Sequence, residues 1–199
     1  MKGYETTNMI IDLSAPLFCI LLGVGSGIGW LLWRKQNWQI RYWLIPMFLC
    51  YILLVIKLTL FPVYIFDQKC LDGMKENLIN YMVYYQPVPF ASIQTYFHGS
   101  GPIQLVGNIV LLAPLAVFAE IFSQQRPKAW KTALVVSSGS LLIEILQLAV
   151  NLATQYPARV TDIDDLILNA FGVVLALIVT RTLCKNQKLQ KLLQKLLYR

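Results

Sequence analysis

The chain has 199 residues, of which 57% are hydrophobic and 14% are charged, and its mean hydropathy is +0.57. This balance differs from that of an ordinary soluble domain and indicates a membrane protein. The net charge of +7 gives no reason to expect a nucleic-acid partner, because the basic residues collect on one side of the predicted spans.

Five apolar runs of about 20 residues are each long enough to cross the ~30 Å hydrocarbon layer of a bilayer. They cover residues 13–33, 42–63, 103–122, 130–152 and 163–180. The first run continues into Arg34 and Lys35 and lacks an Ala-x-Ala cleavage site, so we interpret it as a retained span. We therefore expect an all-α, polytopic membrane protein with about five transmembrane helices within residues 1–182.

The distribution of lysine and arginine predicts the orientation of these spans. Twelve basic residues lie in the first and third connections and after the last span, four lie on the alternate side, and Lys57 lies inside a span. The positive-inside rule then places the N-terminus outside and the C-terminus in the cytoplasm of a bacterial cell. Residues 183–199 have leucines at helical spacing with lysines between them, which predicts a cytoplasmic, basic amphipathic tail on the inner leaflet.

The second connection, residues 64–102, is predicted to be external and is rich in aromatic residues. Tyrosines and phenylalanines at this density suit the headgroup layer, so we expect part of the connection to lie on the membrane. His98, the one histidine of the chain, is near no paired nucleophile and is interpreted as a surface residue.

Polar residues recur at one depth of the predicted bundle, within ~12 Å of the outer surface at about 1.5 Å of rise per residue. Two sets have helical spacing and form stripes, namely Ser140, Glu144, Gln147 and Asn151, and Asp162, Asp165, Asn169 and Gly172. Ionisable residues in a bilayer need partners and mark functional sites. The candidate ligand-binding residues are Lys57, Asn108, Glu144, Gln147, Arg159, Asp162, Asp165 and Asn169.

Structural interpretations compete with this one. Lys57 would neutralise Glu144 in an ion pair, and Asn108 and Asn169 would join helices through hydrogen bonds. Asp162 would be the N-cap of the fifth helix, although capping does not also require Asp164 and Asp165. Arg159 and the aspartates would form a solvated loop cluster.

Enzyme classes are narrowed by the motifs that the sequence lacks. It contains no G-x-S-x-G, H-E-x-x-H or P-loop motif, so acyl transfer by a triad and zinc hydrolysis are poorly supported. The four cysteines include no C-x-x-C pair and predict neither a zinc site nor a disulfide framework. Carboxylates with an arginine and a lysine would still suit a cation and a phosphate, or acid-base chemistry. The sequence does not identify a cofactor.

Two sequence blocks resemble the VanZ-like family of bacterial membrane proteins. The first is Glu144-x-x-Gln147, followed by Arg159-x-x-Asp162-x-x-Asp165-x-x-x-Asn169-x-x-Gly172. The second is Gly107-Asn108 through Pro114, with Pro87-Val88-Pro89-Phe90 upstream. The resemblance covers roughly residues 57–179. Leu112 stands where the family usually has phenylalanine, and Ala116 where it has glycine.

The resemblance implies a role at the cell envelope in low-level resistance to teicoplanin and related lipoglycopeptides, and no catalytic residue is carried over. An ordinary envelope role is also open. Our first hypothesis is a membrane protein that binds an amphiphile, either the lipid tail of the antibiotic or a lipid-linked wall precursor. The alternatives are an enzyme acting on a lipid-linked phosphate or glycan, with Asp162 and Asp165 holding a metal and Glu144 as base, and a structural partner of an envelope assembly.

Overall fold

The computed structural model describes residues 9–35, 41–78, 82–98, 101–123 and 127–185. The helices are α1 (Ala15–Lys35), α2 (Arg41–Leu60), α3 (Gln68–Leu78), α4 (Ala91–His98), α5 (Pro102–Leu111), α6 (Ala113–Phe122), α7 (Ala129–Thr154) and α8 (Ile163–Leu183). The strands are β1 (Met9–Ile11), β2 (Val63–Ile65), β3 (Tyr85–Gln86) and β4 (Thr161–Asp162). The predicted tail lies outside the described residues from residue 186 onward.

Three helical segments are long and apolar enough to cross a membrane: α5 with α6 (Pro102–Phe122), α7 and α8. The apolar parts of α1 and α2 are shorter, at Pro16–Ile28 and Leu44–Leu60. The expectation of a helical membrane protein is therefore confirmed. That α1 and α2 also cross the membrane, which would make five crossings, stays a prediction. Two short two-stranded sheets, β1 with β2 and β3 with β4, are additions that the all-α prediction did not contain.

Prolines set two helix boundaries that differ from the predicted spans. The second helix ends at Leu60 and not at residue 63, because Pro62 follows at once and β2 begins at Val63. The third span is divided at Leu112, since Pro114 in the first turn of α6 cannot donate a helical backbone hydrogen bond. The Tyr51 hydroxyl donates to the Leu111 carbonyl oxygen at 2.7 Å, next to this interruption.

Helix α8 lies at the centre of the bundle and packs against α4, α5, α6 and α7, while α1 pairs with α2 and α2 contacts α7. The apolar core joins α6, α7 and α8 through Leu112, Ala116, Val136, Val173 and Leu177. Leu112 and Ala116, the two positions that depart from the family pattern, are thus both core residues, at 2% and 0% exposure.

Both sheets belong to one end of the bundle, which we call the polar end: α2 and α7 end there, and α5 and α8 begin there. The parallel pair β3–β4 joins the connection after α3 to the residues that start α8, and β2 contacts α7. The antiparallel pair β1–β2 brings the segment before α1 to the same end. This arrangement holds the polar side chains of several helices close together.

Candidate functional site

The predicted polar stripe on α7 is a buried face of that helix. Ser140, Glu144, Gln147 and Asn151 are between 1% and 8% exposed. The opposite face presents Leu141, Leu142 and Ile145 outward, each at least half exposed. Both faces follow from the helical repeat of about 3.6 residues per turn, which places residues three or four positions apart on one side of the helix. The polar face of α7 is therefore turned into the protein and the apolar face outward.

Glu144 and Asp162 connect α7 to the start of α8. The backbone N–H of Asp162 donates to Glu144 Oε2 at 3.0 Å, and the Thr161 hydroxyl donates to the Glu144 carbonyl oxygen at 3.4 Å. Asp162 Oδ1 accepts from the Asp164 backbone N–H at 2.9 Å, which makes Asp162 the N-cap of α8. The capping interpretation of Asp162 is thus confirmed, and the cap is itself held by Glu144.

Asp165 and Asn108 connect α8 to α5. The Asn108 amide nitrogen donates to Asp165 Oδ1, and Arg159 acts electrostatically on the same carboxylate. Both side chains are partly buried. The structure therefore brings Asn108, Arg159 and Asp165 into one neighbourhood with Glu144 and Asp162.

Asn169 lies one helical turn deeper than Asp165. Its amide nitrogen donates to Ser140 Oγ at 2.9 Å, which joins the two predicted stripes. Its amide oxygen is buried without a hydrogen-bond partner among the described residues. At Gly172 a β-carbon would overlap the Ile109 carbonyl oxygen, so glycine at this position admits α5 close to α8.

Gln147 and Arg159 line a small crevice between α2 and α7. The Gln147 amide nitrogen donates to the Thr59 carbonyl oxygen at 3.0 Å, while Oε1 is buried and has no partner among the residues that the structure describes. The Arg159 guanidinium is exposed and donates to the Phe61 carbonyl oxygen at 3.0 Å. The crevice has a volume of about 10 Å³, and its lining residues are Leu60, Pro62, Gln147, Val150, Asn151, Ala158 and Arg159.

Lys57 is the candidate that the structure separates from the others. Its Nζ lies 5.3 Å from the centroid of the Phe18 ring, over the face of α1. No ion pair joins Lys57 to Glu144, so the proposed neutralising pair is not formed. The side chains of the other seven candidates thus take part in the contacts or line the crevice described above. The Lys57 side chain packs against an aromatic ring instead.

Asp164 is a residue whose role sequence reasoning missed. Its side chain is fully buried, and its two oxygens accept backbone N–H groups from Phe90 (2.6 Å), Ser92 (2.9 Å) and Ile93 (3.0 Å). Helix α4 has no acidic residue in its own first turn, so Asp164 supplies the cap from a distant part of the chain. One feature of the sequence points to this role, namely that α4 has no acidic residue in its first turn.

Tyr96 is the second residue that the sequence analysis missed. Burial, and then the negative charges of Asp165, Asp162, Asp164 and Glu144, raise the pKa of Tyr96 to about 12. The phenol on α4 therefore stays neutral at physiological pH, and it lies within electrostatic range of these four carboxylates.

A family model described as VanZ/LLP1 matches residues 48–184. The chain belongs to the VanZ/LLP1 family. The match confirms the resemblance given by the two sequence blocks, and it includes all eight candidate residues. No curated protein and no solved structure matches this chain.

The VanZ/LLP1 region also contains a partly buried ion pair at the end of the bundle opposite the polar end. The Arg181 guanidinium donates to Glu120 Oε1 at 2.6 Å and to the Pro127 carbonyl oxygen at 2.7 Å. The Thr132 hydroxyl donates to the same glutamate oxygen at 3.3 Å. These groups join α6, α7 and α8, and the sequence analysis did not single them out.

The described residues do not support the hypothesis that Asp162 and Asp165 hold a metal ion. No group of three or more His, Cys, Asp or Glu side chains is placed there to hold a metal ion. Asp162 uses Oδ1 as a helix cap, and Asp165 uses Oδ1 to bind the Asn108 amide. The two carboxylates are thus engaged in joining protein segments.

Proposed function

We propose that this VanZ/LLP1 membrane protein binds an amphiphile at its polar end and in this way lowers susceptibility to teicoplanin and related lipoglycopeptides. The observation that carries the proposal is that Gln147 and Arg159 line the same crevice. The amide oxygen of Gln147 is buried and has no hydrogen-bond partner in the described part of the chain, and Arg159 in the same lining is exposed. A buried acceptor without a donor costs about 1–3 kcal/mol, which favours a ligand that supplies one.

The surroundings of the crevice suit a molecule with a polar head and an apolar chain. Leu60, Pro62 and Val150 line the crevice, and Leu58 and Leu152 nearby in sequence are 52% and 61% exposed. An acyl chain would pack along this apolar surface while the headgroup faces Arg159.

The polar end faces the outer leaflet if the lysine and arginine distribution sets the orientation. A ligand would then reach the crevice from the outer surface of the bacterial cell membrane. The lipid tail of the antibiotic and a lipid-linked wall precursor both fit this approach. Binding either one would keep the antibiotic and its target apart.

Susceptibility measurements test the proposal. Strains without the protein, with the wild type and with Arg159→Gln would be compared at equal membrane abundance, against an acylated glycopeptide and one lacking the acyl chain. We expect protection against the acylated compound alone, and its loss in Arg159→Gln. Lys128→Gln is the matched control, because Lys128 is an exposed cation just before α7, at the opposite end of that helix from the polar end. Full protection by Arg159→Gln would contradict the proposal.

A further inference from the structure

The polar end contains more hydrogen-bond acceptors than donors. Three backbone N–H groups donate to the Asp164 carboxylate, and the Asp164 N–H donates to Asp162 Oδ1, so that Asp162 Oδ2 receives no hydrogen bond from the described residues. Glu144 and Asp165 each receive one donor, from Asp162 and Asn108. No described residue donates to the second oxygen of Glu144 or of Asp165. These two oxygens are therefore free to accept from a ligand.

The amide oxygen of Asn169, one helical turn after Asp165 on α8, is a further acceptor without a donor in the described part of the chain. Asn169 is 2% exposed and its Oδ1 has no hydrogen-bond partner among the described residues. Asn169 follows Asp165 by four residues on α8, and its partner Ser140 precedes Glu144 by four on α7, so the Asn169–Ser140 pair forms the next layer down. Side chains of a helix lean toward its N-terminus, which directs Asn169 toward Asp165.

Arg159 does not remove this excess of acceptors. It acts electrostatically on Asp165, but its guanidinium donates a hydrogen bond to the Phe61 carbonyl oxygen, at the crevice. Lys57 points to Phe18. The described part of the chain thus leaves several carboxylates in a low-dielectric layer with little basic charge of its own, where an added cation gains more than in water.

We propose that the amphiphile carries a primary ammonium group and that this group binds among Glu144, Asp165 and Asn169. The inference rests on the proposed function and specifies its ligand. An ammonium group has three N–H donors, and Glu144, Asp165 and Asn169 each have an oxygen that receives no hydrogen bond from the described residues. With Arg159 close by to receive an anionic group, the site fits a zwitterionic headgroup. A hard divalent cation would ask for six or more oxygen ligands, and the described residues form no such group.

Probe binding to the full-length protein in phosphatidylcholine nanodiscs tests the proposal. The probes are dodecylamine and N-dodecylacetamide, which share a chain length and differ in charge and in the number of N–H donors. Empty nanodiscs correct for partitioning. We expect the wild type to bind the amine about 10-fold more tightly than the acetamide, as one charge-assisted hydrogen bond provides.

Two variants assign this preference to the site. Asp165→Asn keeps an oxygen for the Asn108 amide and removes the charge, so the preference should fall to about 2-fold or less. Asp72→Asn is the matched control, because Asp72 is exposed on α3 and bonded to Gln68, and it should keep the wild-type preference. A preference that Asp165→Asn leaves intact would overturn the assignment to this site.

The outcomes separate the inference from the proposed function. Equal and saturable binding of amine and acetamide would overturn the ammonium site and leave amphiphile binding standing. Saturable binding of neither probe would overturn both. Replacing half of the phosphatidylcholine with phosphatidylethanolamine identifies the source of the group: weakened dodecylamine binding indicates a bilayer aminolipid, and unchanged binding indicates an amphiphile from outside the bilayer, such as an acylated peptide.

Discussion

The backbone N–H of Asp162 donates a 3.0 Å hydrogen bond to Glu144 Oε2, across the interface between α7 and α8. Glu144 is 3% exposed and Asp162 is 5% exposed, so water does not substitute for either partner. The bond joins the two halves of the family's sequence pattern in space. It also fixes the N-cap that begins α8, from which Asp164 and Asp165 reach α4 and α5.

Replacing Glu144 separates the effect of its hydrogen bond from that of its charge. Glu144→Ala leaves the Asp162 N–H buried without an acceptor, and we expect a loss of about 1–3 kcal/mol in the free energy of unfolding. Glu144→Gln keeps an amide oxygen in place and should lose less. Unfolding in detergent, followed by circular dichroism, measures both. Equal destabilisation by the two variants would show that the hydrogen bond is not the important contact.

Asp164 should control the docking of α4. Asp164→Ala removes the acceptor of three backbone N–H groups, each charge-assisted bond being worth about 1.5–3 kcal/mol. We expect the amides of Phe90, Ser92 and Ile93 to exchange with solvent at least 10-fold faster, while amides within α7 change little. Hydrogen exchange with mass spectrometry reports this. Unchanged protection of residues 90–93 would mean that other contacts hold α4.

Two glycines offer a matched comparison of helix packing. A β-carbon at Gly172 would overlap the Ile109 backbone, whereas one at Gly139 would meet nothing within 4 Å. Gly172→Ala should therefore destabilise the protein by about 1–3 kcal/mol through overpacking. Gly139→Ala should be neutral or stabilise the protein by up to about 1 kcal/mol, because alanine is the better helix former. Thermal unfolding of the two variants measures the difference, and equal behaviour would contradict the close approach of α5 to α8.

Some of this site could be read from the sequence because helix periodicity is local. The spacing of Ser140, Glu144, Gln147 and Asn151 predicts a common face, and that face is buried. The cap at Asp162 likewise follows from its position before an apolar run. Gly172 belongs to the second predicted stripe, and α5 approaches α8 closely at this position.

Other features depend on tertiary contacts that no local pattern encodes. Asp164 binds backbone groups 71 to 74 positions earlier in the chain, and Tyr96 approaches the carboxylates through the same docking of α4. Lys57 lies near the end of α2, and the direction of its side chain depends on the packing of α1 against α2. Pro114 indicates that the third span is divided, but it lies within a continuous apolar run, which predicted a single helix.

The native cysteines can test the predicted orientation. Cys70 lies in α3, in the connection predicted to be external, and Cys184 lies just after α8, on the predicted inner side. In intact cells, a membrane-impermeant maleimide should label a variant that retains only Cys70. A variant that retains only Cys184 should react after permeabilisation alone. The reverse labelling pattern would invert the bundle and place the polar end in the cytoplasm.

Photo-crosslinking tests most directly whether the polar residues form a shared binding site. A dodecyl amphiphile with a photoreactive group beside its headgroup would be irradiated with the protein in nanodiscs, and the modified peptides mapped by mass spectrometry. We predict adducts concentrated in residues 58–62 and 147–159, and their loss in Arg159→Gln. Adducts spread evenly over the exposed apolar faces of α5, α7 and α8, and unaffected by Arg159→Gln, would contradict a binding site at the polar end.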